Sequence, residues 1–224
     1  MNKIIPKALL KKLDPKGTDV FKNKIKDIFS WSELEHLLNF RPYINNKRFI
    51  MANCFNYEDY VWRNEAWLTD VNSWDPDVLS KAIKKHVCGI VDASRVNPKI
   101  NQICKELEEH FNLTTDAHIY FSLIKKHKEG FGAHWDKSDN MIVQVEGKTR
   151  FKVWNKTNES VTDKKDLKKE SIILDEVLEK GDVIWIPSHV WHEAISLEKR
   201  ISISFPCFKS SLPSQNRKWI KLSE

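Results

Sequence analysis

Cysteine is scarce in this chain. The four present (Cys54, Cys88, Cys104 and Cys207) stand far apart and form no CxxC pair. That spacing argues against a zinc knuckle and against a disulfide framework, and it fits reduced thiols in a reducing compartment. Six glycines and eight prolines among 224 residues leave no room for a collagen-like or linker-dominated sequence. Long apolar runs are missing too: nothing approaches the roughly 18 residues that spanning a bilayer needs. Pro6 and Lys7 interrupt the N-terminus before a signal-peptide core can form, so the chain is expected to be cytoplasmic and to have no membrane partner. A strong excess of one charge is also lacking. Lys and Arg number 37 against 31 Asp and Glu, a net charge of +6 that permits an anionic partner without requiring one. What is plentiful is core material. Hydrophobic residues make up 41% and charged residues 30%, a globular mixture, and nine Trp and eleven Phe can fill a core or line a pocket.

No internal repeat interrupts the chain. Residues 1–25 are Lys-rich and read as a surface arm. Ser30, with Glu33 three residues on, caps an expected helix whose Trp31, Leu34, Leu37 and Leu38 share a face. A second helix is expected from about Asp75-Pro76-Asp77 through Ile83, and a third over 97–111, where Ile100, Ile103, Cys104, Leu107 and Phe111 keep helical spacing. After Leu113 short alternations bounded by turn signals predict antiparallel strands at His118–Leu123, Asn140–Val145, Thr149–Trp154, Ser171–Leu174, Val183–Ile186 and Arg200–Phe205, with Gly147 in a hairpin turn. The layout is a helical N-terminal region over 1–112 followed by an all-β core over 113–224, together one structural unit.

The β half carries His134-Trp135-Asp136 and, later, His192. On a strand, positions i and i+2 face the same side, so His134 and Asp136 can address one atom while a later strand brings His192 alongside. Two imidazoles and a carboxylate on one face of an octahedral metal leave three positions open, the facial triad of non-haem Fe(II) oxygenases. A bare H-x-D is common by chance, and a surface or core histidine is its ordinary reading. Here Gly130-Phe131-Gly132-Ala133 precedes it, Gly181–Pro187 leads to the distal histidine, and Arg-Ile-Ser-Ile-Ser-Phe follows over 200–205.

In that order, together with Ala117–Ser122 and Gln144–Lys148, these segments resemble the JmjC/cupin-type 2-oxoglutarate oxygenases, the ribosomal oxygenases among them. The resemblance covers roughly residues 85–207. It implies an α+β chain with a double-stranded β-helix (jelly-roll) barrel, Fe(II) held by His134, Asp136 and His192, 2-oxoglutarate and dioxygen as cosubstrates, and hydroxylation with release of succinate and CO2. It also implies a protein or peptide substrate, a ribosomal protein being the first guess. The alternatives are a 2-oxoglutarate oxygenase acting on a small molecule and a cupin that binds metal without turnover.

One position departs from the family pattern. Relatives place Lys or Arg two residues after the hairpin glycine to grip the distal carboxylate of 2-oxoglutarate; here that residue is Thr149, and alternation turns Lys148 and Arg150 away from its side. Arg200 is the favoured replacement, on one face of the last strand with Ser202 and Ser204, because a guanidinium matches both oxygens of a carboxylate. A solvent-exposed strand arginine is its ordinary alternative. Asn140 reads either as a polar contact to the cosubstrate or as a turn residue, and Tyr120 either as a pocket hydroxyl or as core. Trp135, Trp154, Trp185 and Trp191 are read as packing. His189 is read as loop, and His36, His86, His110, His118 and His127 as non-catalytic. The lysine clusters at 125–128 and 164–169 are read as solvated faces, because acidic residues follow or interrupt them and no RNA-binding motif accompanies them.

Overall fold

The computed structural model describes residues 3–14, 16–40, 48–52, 76–124 and 128–208, the side chains of 128 and 129 excepted. The readings for Cys54, Asp75 and the 125–127 cluster lie outside these residues. Four helices are described: α1 (Lys7–Leu10), α2 (Trp31–Asn39), α3 (Pro76–Ala82) and α4 (Pro98–Phe111). The expected cap at Ser30 forms: it accepts from the Glu33 amide and donates to the Glu33 carboxylate. Asn97 caps α4 in the same way, accepting from the amides of Lys99 and Ile100, with Pro98 opening the first turn.

The strands in chain order are β1 (Asp19–Phe21), β2 (Phe49–Met51), β3 (Cys88–Ile90), β4 (Thr114–Thr115), β5 (His118–Ser122), β6 (Lys128–Glu129), β7 (Asp139–Glu146), β8 (Thr149–Thr157), β9 (Ile172–Leu178), β10 (Val183–Ile186), β11 (Val190–Ser196) and β12 (Arg200–Phe208). They form a large sheet in the order β1-β10-β7-β12-β5-β3-β2, with β4 attached to β12, and a four-stranded sheet in the order β6-β11-β8-β9. All pairings are antiparallel, the arrangement of a jelly roll. Three strands of the large sheet come from before residue 113, so the N-terminal region supplies sheet as well as helices.

Strand alternation divides the interior in two. From β7, β10 and β12, the side chains of Met141, Val143, Val145, Val183, Trp185, Ile201, Ile203 and Phe205 join the helices in the main core. Their neighbours Ile142, Ile184 and Ile186 turn the other way and pack with Phe151, Val153 and Leu178 of the small sheet. Arg200, Ser202 and Ser204 face the same way as this second set and line a cavity. The hairpin between β7 and β8 turns at Gly147, at φ +70°, where a Cβ would lie 2.0 Å from the Lys199 carbonyl oxygen and 3.0 Å from the Arg200 Cα. Only glycine lets that turn close onto the start of β12.

Three expectations need correction. The N-terminal segment is no surface arm: Ile5, Leu9, Leu10, Leu13, Phe21 and Ile25 are buried in the main core. The intervening lysines concealed an apolar stripe. His134 is a single bridge residue opposite His192, and Asp136 belongs to no strand, so the H-x-D segment is extended without being a strand. β9 runs past Leu174 to Leu178: Asp175 and Glu176 are both exposed, and Asp175 binds Arg150 of the neighbouring strand.

The N-terminal segment is held by one buried carboxylate. Glu106 on α4 accepts from the amides of Ile4 and Ile5, each at 2.8 Å, and from the Gln102 side chain at 3.0 Å. Glu106→Ala leaves those buried donors unpaired and should cost about 2–3 kcal/mol, read as a lower urea midpoint. An unchanged midpoint would show that the clasp contributes nothing.

Candidate active site

The cavity lies between the two sheets, with a volume of about 240 Å³. At one end stand His134, Asp136 and His192. Their ligating atoms all lie within 4.8 Å of one another, and His192 Nε2 is 3.5 Å from Asp136 Oδ2. The backbone sets this juxtaposition. His134 and His192 exchange both amide-to-carbonyl hydrogen bonds, at 3.0 and 2.8 Å, which holds their rings 4.5 Å apart.

Both imidazoles are fixed in one tautomer. His134 Nδ1 lies 2.8 Å from the Gly132 carbonyl oxygen and His192 Nδ1 lies 2.9 Å from that of Val190. A carbonyl only accepts, so each Nδ1 carries the proton and each Nε2 turns a lone pair to the cavity. Burial, reinforced by neighbouring His134, pushes the pKa of His192 down to about 4, which keeps the ring in the neutral form that binds metal. Asp136 is oriented as firmly: its Oδ2 accepts from Asn140 Nδ2 at 2.8 Å, and Asn140 Oδ1 accepts from Ser204 Oγ at 3.1 Å. Two imidazoles and a carboxylate with outer partners of this kind suit a divalent first-row ion.

At the other end lies Arg200, 3% exposed. Its Nε donates to Ser196 Oγ at 2.9 Å and its Nη1 to Ser202 Oγ at 3.0 Å. Neither partner is charged. Burial lowers its pKa to about 10, so the guanidinium remains a cation at neutral pH. Thr149 lies opposite Ser196 in the β8–β11 register, fully buried, and its hydroxyl has no hydrogen-bond partner. A buried cation with no facing carboxylate among the described residues, beside an unpaired hydroxyl, fits a carboxylate supplied by a ligand. Tyr120 lines the same cavity, its phenol pushed up to about 12 by burial and then by the charge of Asp136, and so kept protonated as a donor.

The positions read from sequence sort cleanly. His134, Asp136, His192, Tyr120, Arg200 and Ser202 line one cavity. Asn140 has its amide committed to Asp136 and Ser204. Lys148 and Arg150 point outward, paired with Glu179 at 2.7 Å and Asp175 at 2.5 Å. Trp154, Trp185 and Trp191 are buried, whereas Trp135 stacks on His189, a loop residue at φ +65°. Sequence reasoning missed Ser196 and Gln144 beside Arg200. Period-two counting along β7 from Asn140 would have pointed Gln144 inward.

The comparisons with known proteins agree with this geometry. A family model described as JmjC domain matches residues 89–214. Over 121 residues, 51% of this chain, the sequence is 29% identical to a Drosophila mojavensis protein named bifunctional lysine-specific demethylase and histidyl-hydroxylase NO66, covering 13% of that protein. The Caenorhabditis elegans protein of the same name is 28% identical over 127 residues, half of this chain and 17% of the relative. Among solved structures, YcfD, a ribosomal oxygenase from Escherichia coli, matches with a TM-score of 0.60 at 21% identity over 91% of this chain and 51% of that one. The same protein in complex with cobalt and 2-oxoglutarate matches at 0.61 with 19% identity over 94% of this chain and 53% of that one. The chain thus spans about half the length of the solved relative and under a fifth of these curated ones. With its matched segment running through the barrel that carries His134, Asp136 and His192, the chain belongs to the JmjC domain family.

Proposed function

We propose that this chain is an Fe(II)- and 2-oxoglutarate-dependent dioxygenase that hydroxylates a protein side chain, releasing succinate and CO2. The observation that carries the reading is the shared cavity, with a facial triad at one end and a buried, uncompensated Arg200 at the other. In this reading His134, Asp136 and His192 hold the metal, and Asn140 aims the Asp136 carboxylate through its hydrogen bond. Arg200, steadied by Ser202, receives the distal carboxylate of 2-oxoglutarate together with the free hydroxyl of Thr149, while Tyr120 offers a phenolic donor to the cavity. Bound Fe(II) supplies the redox chemistry that couples dioxygen to decarboxylation of the cosubstrate. The residues themselves orient the reactants. Region 1–112 and the barrel act as one unit, since strands β1 to β3 join the barrel sheet. The buried thiols of Cys104 and Cys207 suit a reducing cytoplasm.

For the substrate, a ribosomal protein is the reading we favour. The YcfD relatives are named ribosomal oxygenases and the NO66 relatives carry histidyl-hydroxylase in their name. Lys164 stands beside the metal loop, its Nζ 3.9 Å from where a Cβ on Gly132 would lie, and Lys165, Lys168 and Lys169, which follow it in the chain, are exposed. A substrate embedded in RNA would gain from that cationic flank. Among the described residues, no helix is long and apolar enough to cross a membrane.

Asp136→Ala should abolish both turnover and calorimetric binding of Mn(II) while leaving the melting temperature within a few degrees of wild type. Full activity in that variant would remove the triad from the reaction. Arg200→Ala should raise the KM for 2-oxoglutarate by about 10- to 100-fold, as expected for loss of a charge-assisted pair. Lys148→Ala, which removes only an exposed ion pair, should leave that KM unchanged. The reverse order would place the anchor on the hairpin. Incubation with ribosomes, followed by mass spectrometry, should show one ribosomal protein heavier by one oxygen, with the yield falling steeply as salt rises. Succinate production from small metabolites with no modified protein would instead mark a small-molecule oxygenase, and no succinate at all a metal-binding cupin without turnover.

A further inference from the structure

Gln144 is fully buried on β7 beside Arg200, and no role has yet been given to it. Its side chain connects the β7–β8 turn to Arg200. Nε2 donates to the carbonyl oxygens of Glu146 at 2.8 Å and Gly147 at 3.3 Å, and Oε1 accepts from Ser202 Oγ at 2.7 Å. Ser202 Oγ in turn accepts from Arg200 Nη1 at 3.0 Å. Every direction in this chain is forced. The turn carbonyls only accept, so the amide nitrogen must face them and the amide oxygen must face Ser202. A guanidinium only donates, so Ser202 spends its single proton on Gln144 and offers a lone pair to Arg200.

No member of the relay besides Arg200 is charged, and the other hydrogen bond of the guanidinium goes to Ser196, also neutral. We propose that Gln144 is a positioning residue for the cosubstrate: acting through Ser202, it fixes the Arg200 guanidinium and, as a neutral amide, leaves that positive charge to an incoming dicarboxylate. The inference rests on the reading of Arg200 as the 2-oxoglutarate anchor. A glutamate would have the same shape with two faults. Its oxygens would face the two turn carbonyls, and its charge would engage the buried cation that the ligand must neutralise. The main chain of Gln144 is held separately, its N–H donating to the Asp182 carbonyl at 2.9 Å and its C=O accepting from the Gly181 amide at 2.8 Å. A changed side chain therefore leaves the strand anchored.

The test is calorimetric titration of 2-oxoglutarate, and of 2-oxobutyrate, which lacks the distal carboxylate, into Mn(II)-loaded wild type, Gln144→Met, Gln144→Glu and Arg200→Ala. Both Gln144 variants should bind 2-oxoglutarate about tenfold more weakly or worse, Gln144→Glu the more so, as loss of a buried hydrogen-bonded relay to a charge implies. Their affinities for Mn(II) and 2-oxobutyrate should match wild type, and in turnover KM for 2-oxoglutarate should move while kcat stays within about twofold. If Arg200→Ala binds 2-oxoglutarate as wild type does, the anchor reading falls and takes this inference with it. If Arg200→Ala weakens binding while both Gln144 variants bind normally, the relay alone is overturned. Should the Gln144 variants melt early, Ser202→Ala interrupts the same relay from its other side, and unchanged 2-oxoglutarate affinity there overturns it equally.

Discussion

Burying a guanidinium inside a barrel of apolar side chains costs several kcal/mol unless something meets its charge. In this chain Arg200 donates to two serines, one of them held by an amide relay, which take two of its five N–H donors without neutralising it. The start of β12 is correspondingly constrained. Gly147 is pressed against Lys199 and Arg200 from the neighbouring turn, and Ser196 at the end of β11 supplies the Nε acceptor. Two hairpin turns therefore converge on one cation, and none of its described hydrogen-bond partners carries a charge.

The opposite end of the cavity is built by the backbone. His134 and His192 are paired residue to residue, each ring pinned by the carbonyl two positions earlier, so their free nitrogens converge before any ion arrives. Asp136 joins them through Asn140, which bonds back to Ser204 on the same face of β12 that carries Arg200. One strand thus braces both ends of the site. That layout explains why the cations following the hairpin glycine are spent elsewhere: the hydrogen bond to Glu179 raises the pKa of Lys148, and that to Asp175 raises the pKa of Arg150, both on the outer surface.

Much of this could be read from residue order because it rests on local rules. Alternation along 200–205 separated Arg200, Ser202 and Ser204 from Ile201, Ile203 and Phe205, and the same alternation turned Lys148 and Arg150 outward. Ser30 announced the start of α2 through capping chemistry, and the spacing of Ile100, Ile103, Cys104, Leu107 and Phe111 marked α4. What escaped depends on contacts distant along the chain. The burial of Ile5, Leu9 and Leu10 follows from a carboxylate about a hundred residues away. The link from Gln144 to Ser202 exists only because β7 pairs with β12 in one register, with a bulge between Ile201 and Ser202. Asn140 was weighed as a cosubstrate contact or a turn residue; its bond to Asp136 is a tertiary outcome that no local pattern contains. The three-residue strands β1 to β3 are too short for their alternation to stand out against neighbouring polar residues.

A crystal structure of the protein grown without oxygen in the presence of Mn(II) and 2-oxoglutarate tests the central claim most directly. The account predicts one ion on His134, Asp136 and His192, and the distal carboxylate of the cosubstrate hydrogen-bonded to Arg200 with the Thr149 hydroxyl newly satisfied. A cosubstrate carboxylate lying away from Arg200, with the guanidinium still bonded only to its two serines, would contradict it.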